Sequence, residues 1–203
     1  IGVELTATKR VVVHRYDYPR TSQANIIIDL QHRDEVLDSW IEVVNDHEIR
    51  GFRRSKSWAK DQYVYFYAKF SKPFKTYGIA LNDQLQQGEK KVPGKNVKMY
   101  IQFDHPGDVV SKVGISSVSA EGALNNLDTE VPDFDFKKVE KQARADWNNE
   151  LNKIQVEGGA PPVSSQSRTT QGHPGYDRPQ QKNQAKAVDQ SKVKQTIFYT
   201  ALY

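Results

Sequence analysis

Tyr63-Val64-Tyr65-Phe66-Tyr67-Ala68-Lys69-Phe70 is a run dominated by aromatic and β-branched side chains, closed by Ser71-Lys72-Pro73. A run of this composition is a strand. Its three tyrosines fall on one face and Phe66 on the other. Both faces are apolar and need cover, which places the strand in the middle of a sheet. Two explanations fit the tyrosine row: packing between layers, and stacking on the apolar C–H face of a sugar ring. Packing is the simpler one, because neither face of the strand is polar.

The same pattern extends in both directions. Val3, Leu5 and Ala7 alternate with Glu4, Thr6 and Thr8, and Val11-Val12-Val13 follows. Asn25-Ile26-Ile27-Ile28-Asp29-Leu30 reads as a strand buried on both faces. Ser39–Val44 and Glu48–Phe52 are two short strands around the turn-forming Asn45-Asp46-His47. Tyr77–Leu81, Val97–Phe103 and Val109–Val118 complete the set, with a polar loop between the first two. Many short strands separated by turns indicate a sandwich or barrel, mostly antiparallel.

The period changes after Val118. Ala123, Leu124 and Leu127 share one helical face, and Phe134, Phe136, Val139, Ala143, Trp147 and Leu151 recur at helical spacing, with Asp133 as the expected N-cap. Ile154–Val156 and Ile197–Tyr199 read as a terminal pair of strand arms. Residues 158–195 hold almost no large apolar side chains and are too polar to fold alone. The expected architecture is mainly β: an antiparallel β-sandwich (1–118), linker helices and a strand (119–157), a flexible polar loop (158–195), and a strand leading into a helical domain (196–203).

Composition excludes several functions. The net charge of +4 comes from 29 cations and 25 anions that are interspersed. Arg53, Arg54 and Lys56 make the densest basic spot, too sparse for a nucleic-acid groove and better read as a solvated loop. With no cysteine, disulfides and thiolate metal sites are excluded. No apolar run approaches the ~20 residues of a membrane span.

Catalytic motifs are missing as well. The five histidines include no metal-ligand pair, and no phosphate loop, G-x-G-x-x-G or G-x-S-x-G occurs. Asp46, Asp104 and Asp108 read as turn carboxylates. No catalytic residue and no metal ligand is assigned. Trp58, in the polar loop after Arg53-Arg54-Ser55-Lys56-Ser57, is the aromatic most suited to face a ligand, although a tryptophan capping the sandwich core is the simpler reading. Trp58 and Arg53 are the substrate-binding candidates.

Several short segments resemble the N-terminal domain of glycoside hydrolase family 92, the exo-acting bacterial α-mannosidases. They are Glu4–Arg10 with His14-Arg15-Tyr16, Tyr65-Phe66 with Phe70–Phe74, Val113–Ser116 through Ser119, Trp147-Asn148 with Leu151, and Phe198–Tyr203. The resemblance implies a β-sandwich followed by linker helices and an (α/α)6 barrel. It further implies a Ca2+-dependent, inverting hydrolysis of mannose-containing glycans, with α-1,2 linkages as the expected substrate, in an exported bacterial protein, periplasmic or at the cell surface. Inversion needs one carboxylic acid and a second carboxylate, ~6.5–9.5 Å apart, around one anomeric carbon. In the family these groups and the Ca2+ ligands come mainly from the helical domain, so none is transferred to a residue here.

The expectation is therefore a non-catalytic domain that shapes the substrate pocket of its helical partner and is inactive alone. A free-standing carbohydrate-binding module and a non-enzymatic surface or scaffold domain are the competing readings. The apolar Phe198–Tyr203 run at the C-terminus favours the first, since such a run needs a partner to pack against.

Overall fold

The computed structural model describes residues 1–21, 23–104 and 106–154. Beyond Ile154, the strand arms, the polar loop 158–195 and the run 196–203 lie outside the described residues. Eleven strands precede two helices: β1 (Gly2–Ala7), β2 (Val11–Asp17), β3 (Ala24–Asp29), β4 (Glu35–Asn45), β5 (Glu48–Lys56), β6 (Gln62–Phe70), β7 (Thr76–Leu81), β8 (Gln84–Gln86), β9 (Lys91–Pro93), β10 (Val97–Phe103), β11 (Asp108–Ser116), α1 (Ala120–Glu130) and α2 (Phe136–Leu151). The larger sheet runs β1-β2-β11-β6-β5-β4-β9 and the smaller β3-β10-β7-β8, with every pairing antiparallel. The Tyr63–Phe70 strand, β6, is the middle strand of the seven.

Alternation along each strand builds the layers. Phe66, Ala68 and Phe70 of β6 point inward with Ile41, Val43, Ile49 and Val109. They meet Ile79, Met99, Ile101 and Phe103 of the smaller sheet in one continuous core. Phe70, Phe74 and Phe103 fill it with rings at 5.9–6.5 Å, tilted or edge to face.

Helices cover part of the outer face of the larger sheet. Leu127, Val131, Phe136 and Val139 close over Val11 and Val13 in a second cluster. Gly114 of β11 allows this approach: a Cβ there would lie 2.4 Å from the Ala123 carbonyl oxygen and 2.8 Å from the Leu127 Cβ. Ser119 caps α1, its Oγ accepting from the Gly122 N–H at 2.9 Å. At the other end, Lys112 is 2% exposed and donates from Nζ to the carbonyls of Val131 (2.6 Å) and Pro132 (3.1 Å). Glu130 ties the same end to the β1–β2 turn by accepting from the Thr8 hydroxyl and from the Arg10 N–H and Nε.

Several expectations are corrected. β3 is an edge strand, not one buried on both faces, and Ile27 is 74% exposed. The two short strands around Asn45–His47 are longer, reaching Glu35 and Lys56, and the polar loop 82–96 contains β8 and β9. Arg53, Arg54 and Lys56 belong to β5 and not to a loop. The α2 N-cap is Asp135, whose carboxylate accepts from the Lys138 N–H at 3.0 Å, while Asp133 braces the Asp135 N–H. Only the first turns of the α2 stripe are buried: Trp147, in a second unit that begins at Asp146, is half exposed.

Candidate functional site

The antiparallel registers bring one set of loops to a single end of the sandwich. Lys98 stands opposite Asp29, Ser55 opposite Gln62, and Ser116 opposite Tyr65. The ends of β3, β5 and β11 and the starts of β6 and β10 therefore lie together. This loop-rich end carries both Arg53 and Trp58.

Arg53 points inward from β5 and holds the β3–β4 loop. Its Nε donates to the Leu30 carbonyl (2.8 Å), one terminal nitrogen to Ser55 Oγ (2.8 Å), and the other to the His32 carbonyl (3.1 Å). Asp34 lies 3.8 Å from the guanidinium. With its donors spent on protein, Arg53 acts as a clamp. The loop it holds forms one wall of a cleft of about 540 Å3, lined by polar groups including Asp29, Gln31, Asp34, Lys95 and Asn96.

Trp58 sits in the β5–β6 loop with its ring 98% exposed, so it does not cap the core. No hydrogen bond or ring contact joins it to Arg53. Its neighbours are better organised. Arg54 grips Asp61 with two bonds (2.8 and 2.7 Å) and lies 5.1 Å from the Tyr63 ring centre. This ion pair holds the Asp61 carboxyl below its ordinary value, the Arg54 hydrogen bond being the largest cause.

The tyrosine row divides between packing and exposure. Tyr67 is buried and donates to Glu48 at 2.7 Å, Tyr65 stacks on Phe52 at 4.6 Å, and Tyr63 remains 41% exposed. Tyr63 borders a second cleft of about 610 Å3 with Arg10, Ser116, Ser117, Asn125 and Asn126. The sequence reading missed these amides and hydroxyls. Their signal was faint: a Ser-Ser pair after a strand and an Asn-Asn pair on a polar helix face.

Among the described carboxyl groups with a shifted pKa, namely Glu42, Asp61, Asp83, Asp108, Glu130, Asp133 and Glu140, every shift is downward. Cationic or hydrogen-bonding partners cause each one; for Glu130, burial opposes the shift but is outweighed by the bonds from Thr8 and Arg10. A glycosidase acid needs the opposite shift, to remain protonated at working pH. Asp46, Asp104 and Asp108 pair with His47, Lys75 and Arg15 respectively. Among the described residues no group of three or more His, Cys, Asp or Glu side chains is arranged to hold a metal ion. No described helix is long and apolar enough to cross a membrane.

Residues 1–116 match the model of the glycosyl hydrolase family 92 N-terminal domain. The chain belongs to glycosyl hydrolase family 92. Residues 122–171 match the model of the same family's catalytic domain, which takes over within the first turn of α1. A family GH92 alpha-mannosidase from Bacteroides thetaiotaomicron is 29% identical with a TM-score of 0.71, over 76% of this chain and 22% of that one. A family GH92 inverting mannosidase from Bacteroides thetaiotaomicron VPI-5482 is 27% identical with a TM-score of 0.68, over 77% and 21%. The family 92 chain described here thus spans about a fifth of the length of these solved structures. A search of curated proteins finds no match.

Proposed function

We propose that this chain is the N-terminal, non-catalytic sandwich of an exo-acting α-mannosidase, packing on a helical catalytic domain and shaping the substrate pocket with its loop-rich end. The observation that carries the reading is the passage from the family's N-terminal model to its catalytic model within one chain a fifth as long as its structural relatives. A free-standing binding module is disfavoured by the catalytic-domain match. The whole enzyme is proposed to invert the anomeric centre, to act on α-1,2-linked mannose in glycans, and to be exported to the periplasm or cell surface. Its acid, base and Ca2+ ligands then belong to the helical domain.

In this reading Trp58 offers its exposed ring to the apolar face of a sugar, and Arg53 fixes the neighbouring loop. In the full-length enzyme, Trp58→Ala should raise KM for an α-1,2-mannobiose about tenfold, equivalent to ~1.4 kcal/mol, and leave thermal stability unchanged. An unchanged KM with a lowered melting temperature would assign Trp58 to the domain contact instead.

A further inference from the structure

Of the tyrosine row on β6, Tyr63 is the member that packing leaves exposed, and it lines the cleft of about 610 Å3 between α1 and the adjoining ends of β6 and β11. That volume falls within the ~300–1,000 Å3 usual for small-molecule sites. No residue lines both this cleft and the one beside Arg53. The Tyr63 ring is held in place. Its hydroxyl donates to Asp61 at 3.3 Å, the Arg54 guanidinium lies 5.1 Å from its centre, and the Phe52 ring lies 6.0 Å away. A fixed aromatic platform loses little freedom when a ligand stacks on it.

Groups able to bond hydroxyls surround it. The side chains of Gln62, Ser117 and Asn125 form no hydrogen bond among the described residues. Asn126 gives its Nδ2 to the Ile115 carbonyl at 2.9 Å, which leaves its Oδ1 as an acceptor. Ser116 Oγ accepts from the Val118 N–H at 3.1 Å, which leaves its own proton to donate. Gly122 keeps the space beside Ser116 open, since a Cβ there would lie 2.9 Å from the Ser116 Oγ.

Charge narrows the ligand. Among the described residues no carboxylate lines the cleft, and its one charged side chain, Arg10, already gives its Nε to Glu130. A divalent cation finds no anionic ligand here, and a phosphorylated molecule finds a single cation that is already paired. A neutral molecule with many hydroxyls and an apolar ring face matches both parts of the lining. That is the chemistry of a pyranose.

We infer that this cleft is a carbohydrate-binding site in its own right, separate from the catalytic pocket. It stacks one sugar of a longer glycan on Tyr63 and bonds its hydroxyls through Gln62, Ser117 and Asn125. It thereby holds a polymeric glycan on the protein while a chain end is processed elsewhere. That the glycan is rich in mannose rests on the mannosidase reading above; the preference for a neutral sugar does not.

The test measures how strongly soluble α-mannan in a native gel retards the full-length protein, its Tyr63→Ala variant and its Asn125→Ala variant, beside KM for an α-1,2-mannobiose. Asn125 is exposed on α1 and alanine is the better helix former, so the second variant guards against a loss caused by misfolding. In both variants the apparent Kd for mannan should rise about tenfold, with KM for the disaccharide unchanged. A parent that mannan does not retard, or variants retarded as strongly as the parent, would overturn the inference. A matching rise in KM for the disaccharide would overturn it too, because the cleft would then be part of the catalytic pocket. If the variants lose retardation but the parent does not hydrolyse the disaccharide, the binding site stands and the mannosidase reading fails.

Discussion

Gly114→Val is expected to detach helix α1 from the larger sheet. The valine Cβ would lie 2.4 Å from the Ala123 carbonyl oxygen and 2.8 Å from the Leu127 Cβ, and backbone cannot yield as a flexible side-chain tip can. Either the helix lifts, exposing Leu127 and Val131 and unseating Val11 and Val13, or the strand bends. Strand propensity favours valine by up to ~1 kcal/mol, which is smaller than the cost of overpacking against backbone. A net loss of about 3 kcal/mol is expected, read as a lower denaturant midpoint with an unchanged slope. A stability equal to the parent's would show that α1 does not rest on β11.

Lys112→Met is the second large effect. Methionine replaces the apolar stem but leaves the Val131 and Pro132 carbonyls without their charged donor and removes the cation 4.7 Å from the Phe134 ring. Hydrogen bonds to a charged group contribute about 1.5–3 kcal/mol, part of which the buried ammonium forfeits through its own desolvation. The expected loss is about 2 kcal/mol. The pH dependence identifies the cause. Burial lowers the folded-state pKa of Lys112 below its ordinary 10.5. Between those two values the unfolded chain binds more protons than the folded one, so stability from this group rises with pH. The parent protein should therefore gain stability relative to the methionine variant as pH approaches 10.5, and parallel curves would contradict the assignment.

Neither of these residues was legible as important in the sequence. A lysine in a strand reads as solvent-facing, and Gly114 reads as a weak point in β11; both are explained only by a helix arriving from elsewhere in the chain. What side-chain periodicity could reveal was read correctly: the central place of β6 and the antiparallel sandwich from alternation, and the two helices from the helical period. β3 was misjudged because Ile26-Ile27-Ile28 has the composition of an interior strand, whereas the described residues leave it at an edge. The two three-residue strands β8 and β9 are too short to carry a period. At the loop-rich end, Arg53 and Trp58 were singled out from residue type alone. Their situations were not: Arg53 is occupied by carbonyls contributed from the β3–β4 loop, and Trp58 projects from the sandwich.

The most direct measurement is release of mannose from an α-1,2-linked disaccharide with Ca2+ present, comparing the pure 203-residue chain with the full-length enzyme. Turnover by the full-length enzyme and none by the chain is the predicted result. The described carboxylates whose pKa is shifted are all held in their ionised form, whereas a glycosidase acid must stay protonated. Turnover by the pure chain, abolished by replacing one of its own carboxylates, would contradict the account and place an active site within the sandwich.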